Sequence, residues 1–120
     1  MLSLHVENIA DMAIVECEGR IVQSDAAFKL REAVTSQRNV RIVVLDLSEV
    51  SAIEAGGLGM LWFLLRWANE HAIQLKLFNP TNFVLERLQR ANSLLQFDIA
   101  TREEVMALLA LAYSRYQLAA

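Results

Sequence analysis

Residues Val40 to Leu47, VRIVVLDL, form a nearly continuous apolar run rich in β-branched side chains. Branching at Cβ stiffens χ1 and favours extended backbone. A run with so little polar alternation has no face to offer water. The expected element is a central strand covered on both sides, as in the parallel sheets of α/β folds. That one strand already demands flanking strands and helices laid over them.

The stretch that contains its end, Asp46 to Gly59, reads DLSEVSAIEAGGLG. A short link leads into a glycine-bearing turn, which opens into the apolar segment Leu58 to Ala68. A strand, a tight turn and a helix start bring unpaired backbone N–H groups and the positive end of a helix dipole together. Such a place suits a phosphate, a carboxylate or a charge-sensitive partner. Position 55 is alanine, so the turn carries no hydroxyl there.

The remaining elements follow from periodicity and punctuation. Leu2, Leu4 and Val6 alternate with Ser3, His5 and Glu7, a half-buried strand. Asn8 to Asp11 form a turn. Met12 to Glu18 form a second strand, with Ala13, Val15 and Cys17 on one face, and Gly19 is expected to end this hairpin. Ser24-Asp25 signals a helix start, with Ala27, Leu30 and Val34 as its apolar stripe. Gln37 to Asn39 is a polar loop. The helix after the central strand spans about Glu54 to Glu70, and Ser51-x-x-Glu54 fits a capping box at its start. Gln74 to Phe78 alternates as a strand. Asn79-Pro80-Thr81 turns into a helix from about Asn82 to Ala91. Leu94 to Ile99 holds a short edge strand, and Thr101 with Glu104 forms a capping box for a last helix to about Leu118. The order predicts an α/β fold: a mixed, largely parallel sheet of four to five strands with about four helices packed on it. With 120 residues, one domain spanning 1–120 is expected.

Composition removes several functions. A net charge of −3 argues against nucleic acid, whose phosphates need a basic patch. The single cysteine, Cys17, excludes an internal disulfide and falls on an apolar strand face, so it reads as a buried core thiol. Two separated histidines and one cysteine do not make a metal site. Gly56-Gly57-x-Gly59 has the wrong spacing for a dinucleotide fingerprint, and no Lys-Ser/Thr follows it as a P-loop requires. Asp46 and Glu54 have no nucleophile or histidine beside them in sequence, so no catalytic residue and no cofactor are assigned. Arg66 breaks the longest apolar run, and the N-terminus lacks a basic region followed by an apolar one. The expectation is a soluble, cytoplasmic protein with no direct membrane insertion.

Apolar residues make up 55% of the chain and mean hydropathy is +0.31, more than one core needs. The excess concentrates after the turn. Leu58, Leu61, Trp62, Leu65 and Ala68 share one helical face; Met60, Phe63, Leu64 and Trp67 lie roughly opposite. The second stripe is expected to be exposed to a partner, since Met, Phe and Trp are enriched in interface cores. The last helix is also more apolar than one face needs. Packing on the sheet is its expected use and self-association the second.

Two segments together resemble the STAS family, the anti-anti-sigma factors of bacteria and related domains of anion transporters. They are VVLDLSEVSAIEAGGLGML, Val43 to Leu61, and LKLFNPTNFVLERLQRANSL, Leu75 to Leu94. The family pattern is an aliphatic strand ending Asp-Leu-Ser, a link, then Asp-Ser-Ser-Gly-Leu-Gly. Asp46-Leu47-Ser48 and Gly57-Leu58-Gly59 match; the Asp-Ser-Ser portion reads Glu54-Ala55-Gly56 here. The resemblance implies that the family phosphoacceptor position is Ala55, which cannot be phosphorylated. Ser48 and Ser51 do not align with it. Glu54 retains the acidic charge and alanine adds none, so the turn is expected to be fixed in the unmodified-like state, which in the family binds the anti-sigma partner.

The resulting expectation is a non-enzymatic protein-interaction module resembling an anti-sigma factor antagonist. Its partner-binding residues would be Glu54, Gly56, Gly57, Gly59, Met60, Phe63, Leu64 and Trp67, with Asp46 and Ser51 supporting the turn. The partner would be an anti-sigma, serine-kinase-type regulator or other STAS proteins, with a homodimer left open. Two alternatives stay open: a cytoplasmic STAS subunit of a lipid transporter that binds its ATPase, and a small-molecule sensor for an anion or nucleotide.

Overall fold

The computed structural model describes residues 2–21, 25–37, 39–91 and 96–119. The expected helix-start residue Ser24, Arg38 of the polar loop and the first two residues of the expected edge strand lie outside these. The elements in chain order are β1 (Leu2–Ile9), β2 (Met12–Ile21), α1 (Asp25–Thr35), β3 (Ile42–Ile53), α2 (Ala55–Glu70), β4 (Gln74–Phe78), α3 (Asn82–Arg90), β5 (Asp98–Ala100) and α4 (Arg102–Ala119).

The strands form one sheet in the order β1-β2-β3-β4-β5. β1 and β2 pair antiparallel, and every later pairing is parallel. The sheet is therefore mixed and largely parallel, as expected from the alternation of strands and helices. β1 runs to Ile9, so the hairpin loop shrinks to Ala10-Asp11, with Ala10 at a φ of 53°.

The ends of β2 and β3 also move. Gly19 does not end β2; it sits at a φ of 118° beside a register shift, and the strand continues to Ile21. β3 does not stop at Leu47 but extends to Ile53. The partner offset grows by one between Glu16↔Asp46 and Glu18↔Glu49, and again between Gly19↔Val50 and Arg20↔Ala52. Each step is a β-bulge with the additional residue in β3. Bulges break strict alternation, which is why SEVSAI does not read as strand.

Alternation in β3 feeds two cores. Val43, Leu45, Leu47, Val50 and Ile53 join a cluster with Leu30 and Val34 of α1, Leu58, Leu61 and Leu64 of α2, and Val84 and Leu88 of α3. Val44, with Met12 and Ala100, faces Val105 and Ala112 of α4 in a second cluster. Adjacent parallel strands that advance in one direction place their crossover helices on one face. α4 follows the last strand and takes the other face. The core is thus three layers deep, with α1, α2 and α3 on one side of the sheet and α4 on the other.

Helix ends account for several fixed boundaries. Thr81 caps α3, accepting from the Val84 N–H at 3.4 Å, while its hydroxyl donates to the Val50 carbonyl at 3.0 Å. The capping box of α4 is present, with Glu104 N–H to Thr101 Oγ1 at 3.1 Å and Thr101 N–H to Glu104 Oε1 at 3.3 Å. α2 closes with paired bonds from Ile73 N–H to Ala68 O (2.8 Å) and Ala72 N–H to Asn69 O (3.4 Å), the Schellman pattern, with Ala72 at a φ of 56°.

Candidate functional site

The start of α2 is built by β2 and β3 ending together. Glu54 is the N-cap, with extended backbone at a φ of −109°, and its N–H donates to Ile21 O at 3.1 Å. Its carbonyl accepts the first helical bond from Leu58 N–H at 2.9 Å. The Glu54 side chain makes no cap bond; it turns to Arg20 at the end of β2, with Nη2 to Oε1 at 3.2 Å. Both side chains are more than half exposed, so the pair stabilises the fold by at most about 1 kcal/mol. Its effect is on local charge, since a cation now stands beside the carboxylate. The first turn contains no acidic residue and no side-chain cap, leaving its N–H groups and the positive dipole end open.

The glycines of this turn have separate roles. Gly57 is buried, and a Cβ there would overlap the Ile21 carbonyl, so its lack of a side chain lets α2 seat on the end of β2. Gly59 is exposed, and a Cβ built on it meets nothing within 4 Å. Ala55 is exposed, and Gly56 is half-buried. Ala55, Gly56 and Gly59 therefore form a low, nearly side-chain-free patch bordered by Glu54 and Met60.

The expected partner stripe is only partly a surface. Leu64 is 0% exposed and belongs to the main core, so its assignment to a partner face is corrected. The physical reason is the arc α2 buries. Gly57, Leu58, Leu61, Leu64 and Ala68 face inward. Met60, Trp62, Leu65 and Trp67 are half-buried along the flanks and pack against the core. Trp62 meets the Phe97 ring at 5.6 Å between centroids. Phe63, the most exposed large apolar side chain of this helix at 36%, lies beneath the Arg31 guanidinium of α1 at 4.9 Å. Trp67 stacks on His71 at 4.5 Å, and His71 Nδ1 lies 2.7 Å from the Trp67 carbonyl. The surface that survives runs from Glu54 through Ala55, Gly56 and Gly59 to Met60 and Phe63.

Neither residue expected to support the turn does so as expected. Ser51 lies inside β3, and its hydroxyl donates to Gly19 O at 3.2 Å, tying the strands at the second bulge; it does not cap α2. Asp46 faces the α4 side of the sheet, where it accepts from Ser48 N–H (3.0 Å) and Ser48 Oγ (2.7 Å). Sequence reasoning missed Arg20. Its position one residue from the end of a bulged strand carries no periodic signal that points to Glu54. Burial, with Asp46 adding repulsion, pushes the Cys17 thiol up to about 12, in keeping with an inert core thiol. Among the described residues no group of His, Cys, Asp and Glu is placed to hold a metal. No described helix is long and apolar enough to cross a membrane.

The STAS domain model matches residues 3–106. The fold is similar to the anti-sigma factor antagonist SpoIIAA in its unphosphorylated form, with a TM-score of 0.74 at 17% identity over 90% of this chain and 96% of that one. It is similar to an anti-sigma factor antagonist from Mycobacterium paratuberculosis, with a TM-score of 0.73 at 16% identity over 92% and 95%. A putative anti-sigma factor antagonist from Thermotoga maritima gives 0.77 at 19% identity over 89% and 94%. No curated protein sequence matches the chain. The family match spans most of the chain, so the protein belongs to the STAS domain family.

Proposed function

We propose that this STAS domain is a non-enzymatic interaction module of the anti-sigma-factor-antagonist kind, acting in the cytoplasm and held permanently in an unphosphorylated-like state. The observation that carries this is the exposed Ala55 at the uncapped start of α2, beside a Glu54 carboxylate matched by Arg20. Phosphate on a serine there would add about −1.5 to −2 charges at a helix N-terminus. Alanine removes that input, and the Arg20 pair offsets the one negative charge that remains. The surface presented is Glu54, Ala55, Gly56 and Gly59, with Met60 and Phe63 as its apolar border. Similarity to SpoIIAA, solved in unphosphorylated and phosphorylated forms, supports reading position 55 as the place where relatives switch. The partner is an anti-sigma, serine-kinase-type regulator.

The test starts with affinity capture of the partner, followed by titration calorimetry on variants. Ala55→Glu, which places charge where phosphate would sit, should weaken binding by about tenfold or more, equivalent to about 1.4 kcal/mol. Phe63→Ser should weaken it similarly with the fold retained. Full affinity in both variants would remove this surface from the interaction. Stoichiometric phosphoserine at Ser48 or Ser51 in cells would end the fixed-state reading. Capture of a transporter ATPase would replace the partner, and ligand-dependent thermal stabilisation with no protein captured would favour a sensor.

A further inference from the structure

The sheet face that carries α4 is covered only in part. Strand alternation puts Ser3 and His5 of β1, Glu16 and Glu18 of β2, and Asp46 of β3 on that face. α4 covers the apolar end, where Met12 and Val44 lie. The other end is open and acidic. Register sets Glu16 beside Asp46, and the first bulge of β3 sets Glu18 beside Glu49. Like charges in directly paired positions on one face repel. Among the described residues, no lysine or arginine makes an ion pair with any of these four carboxylates. The fold therefore tolerates two adjacent rows of unneutralised charge.

Glu16 and Asp46 also line two hollows. One is a groove of about 740 Å³ between the sheet and the first turns of α4, with Val44, Phe78 and Val105 in its wall and the 58%-exposed Met106. The other is a depression of about 300 Å³ over Glu18, Ser48 and Glu49. An apolar groove and an acidic platform meet at one carboxylate pair. The rows are two residues apart along β2 and three along the bulged β3. The β2 spacing, roughly 6.6 Å, is close to the roughly 5.4 Å that separates side chains one turn apart on a helix.

We propose that this face docks a basic helical segment of a partner protein. The segment lies on the open half of the sheet, much as α4 lies on the other half. One apolar side chain enters the groove beside Phe78 and Met106, and Lys or Arg side chains one turn apart meet Glu16–Asp46 and Glu18–Glu49. The surface is on the opposite side of the sheet from α2, so it is independent of the Ala55 surface and both can be occupied together.

The probe is a fluorescein-labelled helical alanine peptide with lysine at every fourth position and a Leu-Phe end, followed by anisotropy. Glu16→Gln/Glu49→Gln should weaken binding by about tenfold, and raised salt should weaken it in the unaltered protein. The variant should melt no lower than the parent, because it removes like-charge repulsion. Met106→Ser should weaken binding separately, while Glu70→Gln/Glu86→Gln and Ala55→Glu should leave it unchanged. Amide shifts on peptide addition should appear at Glu16, Glu49 and Phe78. Unchanged affinity in Glu16→Gln/Glu49→Gln, or shifts confined to α2, would overturn the proposal. So would equal binding of spermine, which offers cations without an apolar end.

Discussion

At the scale of single residues, Gly57 and Gly59 of α2 look equivalent in sequence and differ completely in the fold. Gly57→Ala forces a methyl against the Ile21 carbonyl and should cost about 1–3 kcal/mol as overpacking at a backbone contact, read from the urea midpoint. Gly59→Ala enters open space inside a helix and should stabilise by about 0.5–1 kcal/mol. If the flat patch meets a partner, the same Gly59→Ala change should weaken binding while it strengthens the fold. Cys17 was legible as a core thiol because alternation placed it with Ala13 and Val15. Its folded value is raised from 9.0 to about 12, so the neutral thiol is favoured by folding. That contribution is fully present below pH 9 and is lost as pH rises toward 12, at up to about 1.4 kcal/mol per unit. Replacing Cys17 with Val should flatten the fall of the urea midpoint between pH 9 and 10.5 relative to the parent.

At the scale of elements, the caps separate what local sequence can decide from what it cannot. Thr101 and Glu104 form the box their spacing implies, because both partners lie within one turn of the same helix. Ser51 and Glu54 have the same spacing and do not form one, because the long-range pairing of β3 with β2 claims Ser51 first. Thr81 does two jobs, capping α3 and holding it to Val50. Thr81→Ala should therefore cost about 1–2 kcal/mol, at the upper end for a cap. On α2 the expected exposed stripe takes in Leu64, which the fold places in the core because the helix buries a wider arc than one stripe. Leu64→Ala should cost about 2–5 kcal/mol as a core cavity, measured by denaturation. Phe63→Ser should cost much less, because this ring is partly in solvent and held by one cation–π contact.

At the scale of the whole molecule, β3 is the centre of the sheet, with strands on both sides and helices over both faces. Its amides should exchange with solvent most slowly, near the global unfolding free energy, and those of the edge strands β1 and β5 faster. Hydrogen exchange read by mass spectrometry or NMR checks this; faster exchange in β3 than in β1 would contradict the two-sided burial. The sheet class, the helix order and the start of α2 near Glu54 were all readable, because each rests on periodicity or punctuation within a few residues. The absence of a hydroxyl at position 55 was readable for the same reason. Tertiary structure alone decided the rest. The bulges that carry β3 to Ile53 depend on register against β2. The Arg20–Glu54 pair joins residues on different elements. α4 lies on the face opposite α2, and that position decides which apolar residues are core and leaves one acidic half of the sheet open. Local sequence sets which backbone form each segment prefers; which faces meet is set by packing between segments far apart in the chain.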